Sequence, residues 1–323
     1  MALNRRLPLL VLMLAILAGA APAVAAWPDK PVKIVVAFDP GGTADRIARI
    51  LADKLTQSLA VQVFVENRAG ASGTIGSGVV ARAAPDGTTL LIGGSGPHIT
   101  APVINPNAGY EPMRDFTHIA MIAGDTYVLA AGKQTGFATL ADLLKAAKGA
   151  KPPVSYGSPG AGSLGHLIME SFVHEAMVPF THVPYKGGGP AIKDVLGGHV
   201  ATVLLPVLNV AELLTAGSIT PLGVTSTERH AAYRQIPTFI EQGHKVQGTT
   251  WFWLAGPRGL PAEVVDRLEH EIKAALLLAD VKQSFEAQAL LTKSLTRPDL
   301  EAFLREEIAV WSRIIKDINF RLE

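Results

Sequence analysis

Three times along this sequence a run of apolar and β-branched residues ends in a glycine-rich turn, and the turn opens a segment with helical spacing. The turns are Asp39-Pro40-Gly41-Gly42-Thr43, Gly157-Ser158-Pro159-Gly160-Ala161-Gly162-Ser163 and Lys186-Gly187-Gly188-Gly189-Pro190. Strand, turn and helix in alternation confine the chain to an α/β fold. Glycine lets backbone approach a ligand closely, and the first N–H groups of a helix have no intrahelical partner, so each turn is a potential anion cradle. One such turn alone needs no ligand to explain it, since every βα connection requires a tight bend and a cap such as Thr43 or Ser163. Three together point to binding of a carboxylate or phosphate.

The segments around the turns have consistent periodicity. Val32-Lys33-Ile34-Val35-Val36-Ala37-Phe38 is apolar on both faces, as in a buried parallel strand. From Thr43 onward Ile47, Ile50, Leu51, Leu55 and Leu59 form one stripe, with Asp45, Arg46, Arg49, Asp53 and Lys54 off it. Asp45 falls in the first turn, where a carboxylate complements the helix dipole. Strands over 61–65 and 88–92 and a glycine-interrupted helix over 72–83 complete a first set. A second set begins near Tyr127, with strands over 127–131, 154–157, 181–184, 200–205 and 221–225 and helices over 140–148, 163–177, 191–196 and 207–216. A strand over 249–255 and amphipathic helices over 261–278 and 298–319 follow, and these helices are expected to pack back on the first set. The expected organisation is two lobes, residues 26–125 with 228–323 and residues 126–227, and a small-molecule cleft between them.

Composition removes several function classes. The 29 Lys and Arg against 28 Asp and Glu, with 6% aromatic residues, leave no basic field for nucleic acid. With no cysteine, disulfide scaffolds, thiolate metal sites, thiol nucleophiles and lipoprotein anchoring are excluded. The nine histidines include no H-E-x-x-H and no pair four apart, so no metal site is expected. Gly160-Ala161-Gly162-Ser163-Leu164-Gly165 fits the dinucleotide fingerprint between strand and helix and opens an alternative, an NAD-dependent oxidoreductase. The following strand ends in Pro184-Tyr185-Lys186, without the acid that would hold the ribose. Gly93-Gly94-Ser95-Gly96-Pro97 has proline where a nucleophile elbow needs glycine, which leaves Ser95 as a hydrogen-bonding loop residue. His166 follows Ser163 by less than a turn and is a core or a cleft residue. Trp251 and Trp253 share one strand face, opposite Phe252, and either fill the core or line the cleft.

At the N-terminus, Arg5 and Arg6 precede an apolar run over 7–21 and the small residues Ala23-Val24-Ala25, the pattern of a secretory signal peptide over 1–25. The run is shorter than the ~20 residues a membrane helix needs. Removing it takes away two arginines and no acid, leaving 27 basic against 28 acidic residues. An exported, soluble protein without cysteine fits a bacterial periplasm.

Lys30-Pro31-Val32-Lys33-Ile34-Val35-Val36 followed by Pro40-Gly41-Gly42 and Asp45 resembles the opening of the substrate-binding receptors of tripartite tricarboxylate transporters, the Bug family. Val65-Glu66-Asn67-Arg68 with Gly70 and Gly73, Ala83-Ala84-Pro85-Asp86-Gly87, Ile104-Asn105-Pro106 and Asp115-Phe116 resemble it further. So do Tyr156-Gly157-Ser158, Gly160, Gly162-Ser163, His166-Leu167 and His182-Val183-Pro184-Tyr185-Lys186-Gly187, and the match runs from about Trp27 to the C-terminal helices. The resemblance implies a type II periplasmic-binding-protein architecture that captures small carboxylates between its lobes and delivers them to the membrane permease subunits of a secondary transporter. It places Pro40, Gly41, Gly42 and Thr43 against Ser158, Gly160, Gly162, Ser163 and His166. Ser95, Lys186, Gly187 and Trp251 complete the expected ligand site, with no catalytic group and no cofactor. Asp39 and the pair Ala201-Thr202 depart from the family pattern, and a carboxylate at Asp39 would disfavour an anion beside it. A ligand sensor docking on a membrane kinase would have the same cleft and is the second reading.

Overall fold

The computed structural model describes residues 27–105, 107–288 and 290–321; the expected signal peptide and Pro106 lie outside the described residues. Strand β1 (Val32–Val36) lies between β2 (Val63–Asn67) and β3 (Thr89–Gly94), parallel to both. Its side chains alternate between two cores, as the pleat requires. Val32, Ile34 and Val36 join Ile47, Leu51 and Leu55 of helix α1 (Thr43–Leu59) on one face. Val35 joins Val80 of α2 (Thr74–Ala81) and Leu91 on the other. Covering both faces is why this strand is apolar throughout, and each fully buried side chain contributes about 1.5–3 kcal/mol of transfer free energy.

Strand β4 runs from Phe116 to Gly132 and is the longest among the described residues. Its 17 residues extend over roughly 55 Å, well beyond the usual length of a strand in one lobe. The sequence pattern suggested only its last third, because His118, Gly124 and Asp125 interrupt the apolar run before Tyr127. From Phe116 to Thr126 it pairs antiparallel with β9 (Thr249–Pro257); from Tyr127 to Gly132 it pairs with β7 (Thr202–Pro206) and β8 (Ile219–Val224). Strand β5 (Val154–Ser158) lies parallel between β7 and β6 (Phe180–Pro184), and the path across the sheet is β2-β1-β3-β9-β4-β7-β5-β6. The fold is a two-lobed α/β architecture of the type II binding-protein kind.

Helices α3 (Leu140–Ala147), α4 (Leu164–Ala176), α5 (Gly188–Gly197) and α6 (Val207–Thr215) belong to the second set of strands. The expected helix over 261–278 is α7 (Ala262–Leu277), and a separate helix, α8 (Ala279–Ala287), follows it. Val264, Leu268 and Ile272 of α7 enter the core beneath α1. The last helix, α9 (Arg297–Asp317), packs against residues 96–104 of the first set and against β4, and its Leu300, Leu304, Trp311 and Ile315 enter a core that holds Val35 and Leu91 from the first strands together with Tyr156 and Leu167 from the second set.

Candidate functional site

Helices α1, α4, α5 and α6 all begin at one cavity of about 300 Å³. Gly42 and Thr43, Ser163 and Leu164, Gly187 and Gly188, and Pro206 form those parts of its wall. Only α4 of these four has a side-chain cap, Ser163 Oγ accepting the His166 N–H at 3.3 Å; α1, α5 and α6 start at Gly42, Gly187 and Pro206 without one. Each helix start has a partial positive charge of about half a unit, so the four add in one place. Phe38, Tyr127 and Phe252 give the wall an apolar part, and its charged side chains are Asp39, Arg46 and Lys186.

Asp45 fixes the loop before α1. Its carboxylate accepts the Gly41 N–H at 2.9 Å, both arms of the Arg49 guanidinium at 2.9 Å and the Asn67 amide at 3.0 Å, while the same amide also donates to the Phe38 carbonyl. Burial works against its charge, but the bonds from Arg49, Gly41 and Asn67 outweigh it and hold its pKa below the ordinary value. Thr43 is the first helical residue rather than the cap, and its hydroxyl lies 3.0 Å from Asp125 Oδ2 and 3.1 Å from Asn209 Oδ1.

The turn between β5 and α4 is held from behind. Ser158 Oγ lies 2.7 Å from His182 Nε2, and the His182 ring stacks on His166 at 3.6 Å between centroids. His166 Nδ1 accepts the Gly162 N–H at 3.0 Å and is therefore unprotonated. Burial, with the charge of His182, pushes His166 down to about 3, and burial pushes His182 down to about 4, so both rings are neutral near pH 7. Gly160 and Gly162 have φ of +150° and +74°, which side chains rarely adopt. Two hydroxyls reach this turn from the first set of elements: Ser72 donates to the Ala161 carbonyl, and Thr100 Oγ1 lies 3.2 Å from the Gly162 carbonyl.

A sequence model of the tripartite tricarboxylate transporter family receptor matches residues 47–320. The chain belongs to this family. A Pseudomonas protein from the tcbD-tcbE intergenic region is 34% identical over 92% of this chain and 88% of its own length. Bordetella pertussis BugT is 30% identical over the whole of both chains. A Rhodopseudomonas palustris protein solved with adipate superposes with a TM-score of 0.86 at 32% identity, covering 91% of this chain and 98% of that one. MatC of the same organism, solved with malate, gives 0.85 at 28% identity over 90% and all of the two chains.

In this family receptor Asp39, Pro40, Gly41, Gly42, Thr43, Ser163, Lys186 and Gly187 lie on the cavity wall. Ser158, Gly160, Gly162 and His166 are one layer back and shape the turn. Ser95 and Trp251 lie elsewhere: fully buried Ser95 accepts the Trp251 N–H at 2.9 Å, and the Trp251 indole meets Phe303 and Lys293. Strand alternation is the reason, because Phe252 faces the cavity and sends both neighbouring indoles to the other side. The fingerprint glycine Gly165 serves packing, since a Cβ there would sit 2.9 Å from the Tyr127 ring and 3.2 Å from the Leu204 carbonyl. Among the described residues no group of acids and histidines is arranged for a metal, and no helix is long and apolar enough to cross a membrane.

Sequence reasoning missed Arg46, Ser72, Asn209, Thr250 and Phe252 on the wall, and Asp125 behind it. Asp125 had a legible signal, being the one Asp, Glu, Lys or Arg in the 17 residues of β4.

Proposed function

We propose that this receptor is exported through the signal peptide at 1–25, works in the periplasm, and captures a small organic acid for the membrane permease subunits of a tripartite transporter. It turns over no substrate. The observation that carries the reading is the convergence of four helix starts, three without a side-chain cap, on one partly apolar cavity. Such a wall attracts an anion through oriented N–H groups while Phe38, Tyr127 and Phe252 accept a short carbon chain. Adipate and malate, held by the two R. palustris relatives, are both dicarboxylates of that description. In this reading Gly42 and Thr43 meet one end of the ligand, Ser163 and Gly187 meet the other, and Arg46 and Lys186 favour a second negative charge. Asp39 selects against acids that place a carboxylate beside it.

The lobes are residues 26–125 with 228–323 and residues 126–227, supported by the exchange of partners along β4 between Thr126 and Tyr127. The test is thermal unfolding of the purified mature chain with a panel of mono-, di- and tricarboxylates, amino acids and aromatic acids. Binding to the folded state alone stabilises it by about 2.7 kcal/mol at a hundredfold excess over Kd and so raises the midpoint temperature. Stabilisation by a short dicarboxylate that is recovered unchanged after incubation supports a receptor. Chemical conversion of the acid, or stabilisation by no acid in the panel, overturns it.

A further inference from the structure

Asp125 is a buried carboxyl at the place where β4 passes from one lobe's sheet to the other's, and it touches both lobes. From α1 it faces the Thr43 hydroxyl at 3.0 Å; from α6 it faces the Leu208 N–H at 3.3 Å, with the Val207 N–H close by. Tyr127 on its own strand feels its charge, Thr250 is its register partner on β9, and Asn209 of α6 shares the Thr43 hydroxyl at 3.1 Å. The charged side chains nearest along this wall are Asp39, Arg46 and Lys186 at the cavity and Asp45, which Arg49 neutralises on α1. The second oxygen of Asp125, Oδ1, has no hydrogen-bond partner among the described residues.

The hydroxyl of Thr43 has one proton to give and stands on the cavity wall. When Asp125 is ionised it takes that proton as an acceptor, and Thr43 can only accept from a ligand. When Asp125 is protonated it donates to Thr43 Oγ1, and the Thr43 O–H is released toward the cavity or toward Asn209 Oδ1. An anionic ligand needs donors and is repelled by a carboxylate behind the wall. We propose that Asp125 is a positioning residue for the ligand, and that anion capture by this receptor is accompanied by uptake of one proton on Asp125, passed to the ligand as a hydrogen bond from Thr43. The inference rests on the receptor reading above. It fits the direction in which burial drives Asp125, up to about 7 against the bonds from Thr43 and from the α6 backbone, so that the group is divided between its two states near neutral pH.

The test is calorimetric titration with adipate and with malate, preceded by the thermal panel, at pH 6 to 9, for the wild type and for Asp125→Asn and Thr43→Val. Asparagine reproduces the shape of the protonated acid and cannot ionise. In the wild type the affinity should be level below pH ~7 and fall by close to tenfold per unit above it, about the limit for one linked proton. Its apparent enthalpy above pH ~7 should differ between triethanolamine and Tris, neither of which is an anion, in proportion to their ionisation enthalpies. Asp125→Asn should bind with no pH slope and no buffer dependence, and Thr43→Val should be weakened most at low pH. Binding with equal pH slopes in wild type and Asp125→Asn, or a wild-type enthalpy independent of buffer, overturns the inference and leaves the receptor reading standing. The buffer comparison needs only wild type, so it decides the matter even if Asp125→Asn does not fold. If no acid of the panel binds at any pH, the receptor reading falls and the inference falls with it.

Discussion

Replacing Asp45 by asparagine tests whether the loop before α1 is held in its binding shape by one carboxylate. Four donor contacts converge on its two oxygens: the Gly41 N–H, two arms of Arg49 and the Asn67 amide. Asparagine keeps one oxygen and turns an NH2 group toward donors, so about two of the four are lost. A hydrogen bond to a charged group contributes roughly 1.5–3 kcal/mol net. Arg49 is more than half exposed, so its share counts at the low end. The expected loss is ~2–4 kcal/mol of unfolding free energy, read from urea denaturation. With the NH2 in place of Oδ2, Gly41 and Arg49 Nε are the donors released, and affinity for whichever acid stabilises the wild type should then fall together with stability. The pH dependence gives a second check. The folded-state pKa lies below 3.8, so the contribution is complete above that value and disappears as pH falls through the lower, folded one; the two proteins should then converge. Unchanged stability near pH 7 would refute the energetic argument. Lost stability with unchanged affinity would show that the loop does not need Asp45 to bind.

Four further outcomes concern the site. Ser72→Ala removes a hydroxyl that spans the cleft to the Ala161 carbonyl, so the ligand-free protein should become less compact in small-angle scattering; an identical profile would show that the contact does not hold the lobes together. His166 and His182 are neutral in the fold, with values near 3 and 4, and protonate in the unfolded chain near 6.5, so between pH 6.5 and 4 stability should fall by about 1.4 kcal/mol per unit for each; an acid loss in His166→Phe equal to the wild type would refute this. Asp125 acts in the opposite sense, since its raised folded-state value removes stability as pH rises from ~4 to 7. Phe252→Trp should place an indole at the cavity and respond to ligand in fluorescence, whereas Trp251→Phe should leave any ligand signal intact; loss of that signal in Trp251→Phe would contradict the orientation of β9.

Local chemistry made half of the site readable. Glycine turns before Thr43 and after Ser158 announce themselves because few other residues permit such backbone, and the apolar stripe of α1 states which face is buried. Side-chain direction at the end of a strand was less readable: alternation placed Trp251 and Trp253 together but did not say which face met the cavity. That choice is made by β3, whose Gly93 lies so near Trp253 that a Cβ there would sit 2.6 Å from the indole nitrogen. Arg46 and Asn209 were invisible for another reason, since a polar residue in the first turn of a helix is ordinary until the helix is seen to point at a cavity. Tertiary placement, with β4 carrying Asp125 under two helix starts, has no local sign beyond a single charge in an apolar run.

The same strand determines what kind of motion the lobes can make. Their cores are not separate, because α9 covers a continuous cluster in which Leu91 and Trp253 of one sheet join Tyr156 and Leu167 beside the other. Opening the cleft by parting two independent bodies would expose that cluster, so any opening would have to take the form of a bend within the shared sheet. Register irregularities in the β4 pairing lie on both sides of Asp125, between His118 and Ala120 and between Met121 and Ala123 before it, and between Leu129 and Ala130 after it. Such irregularities are where a strand bends. Asp125 lies between these irregularities and meets both the Thr43 hydroxyl of α1 and the Leu208 N–H at the start of α6. A bend that separates α1 from α6 must lengthen at least one of these contacts. If ligand binding closes the cleft by such a bend, the proton uptake proposed for Asp125 and the closure would share one structural origin.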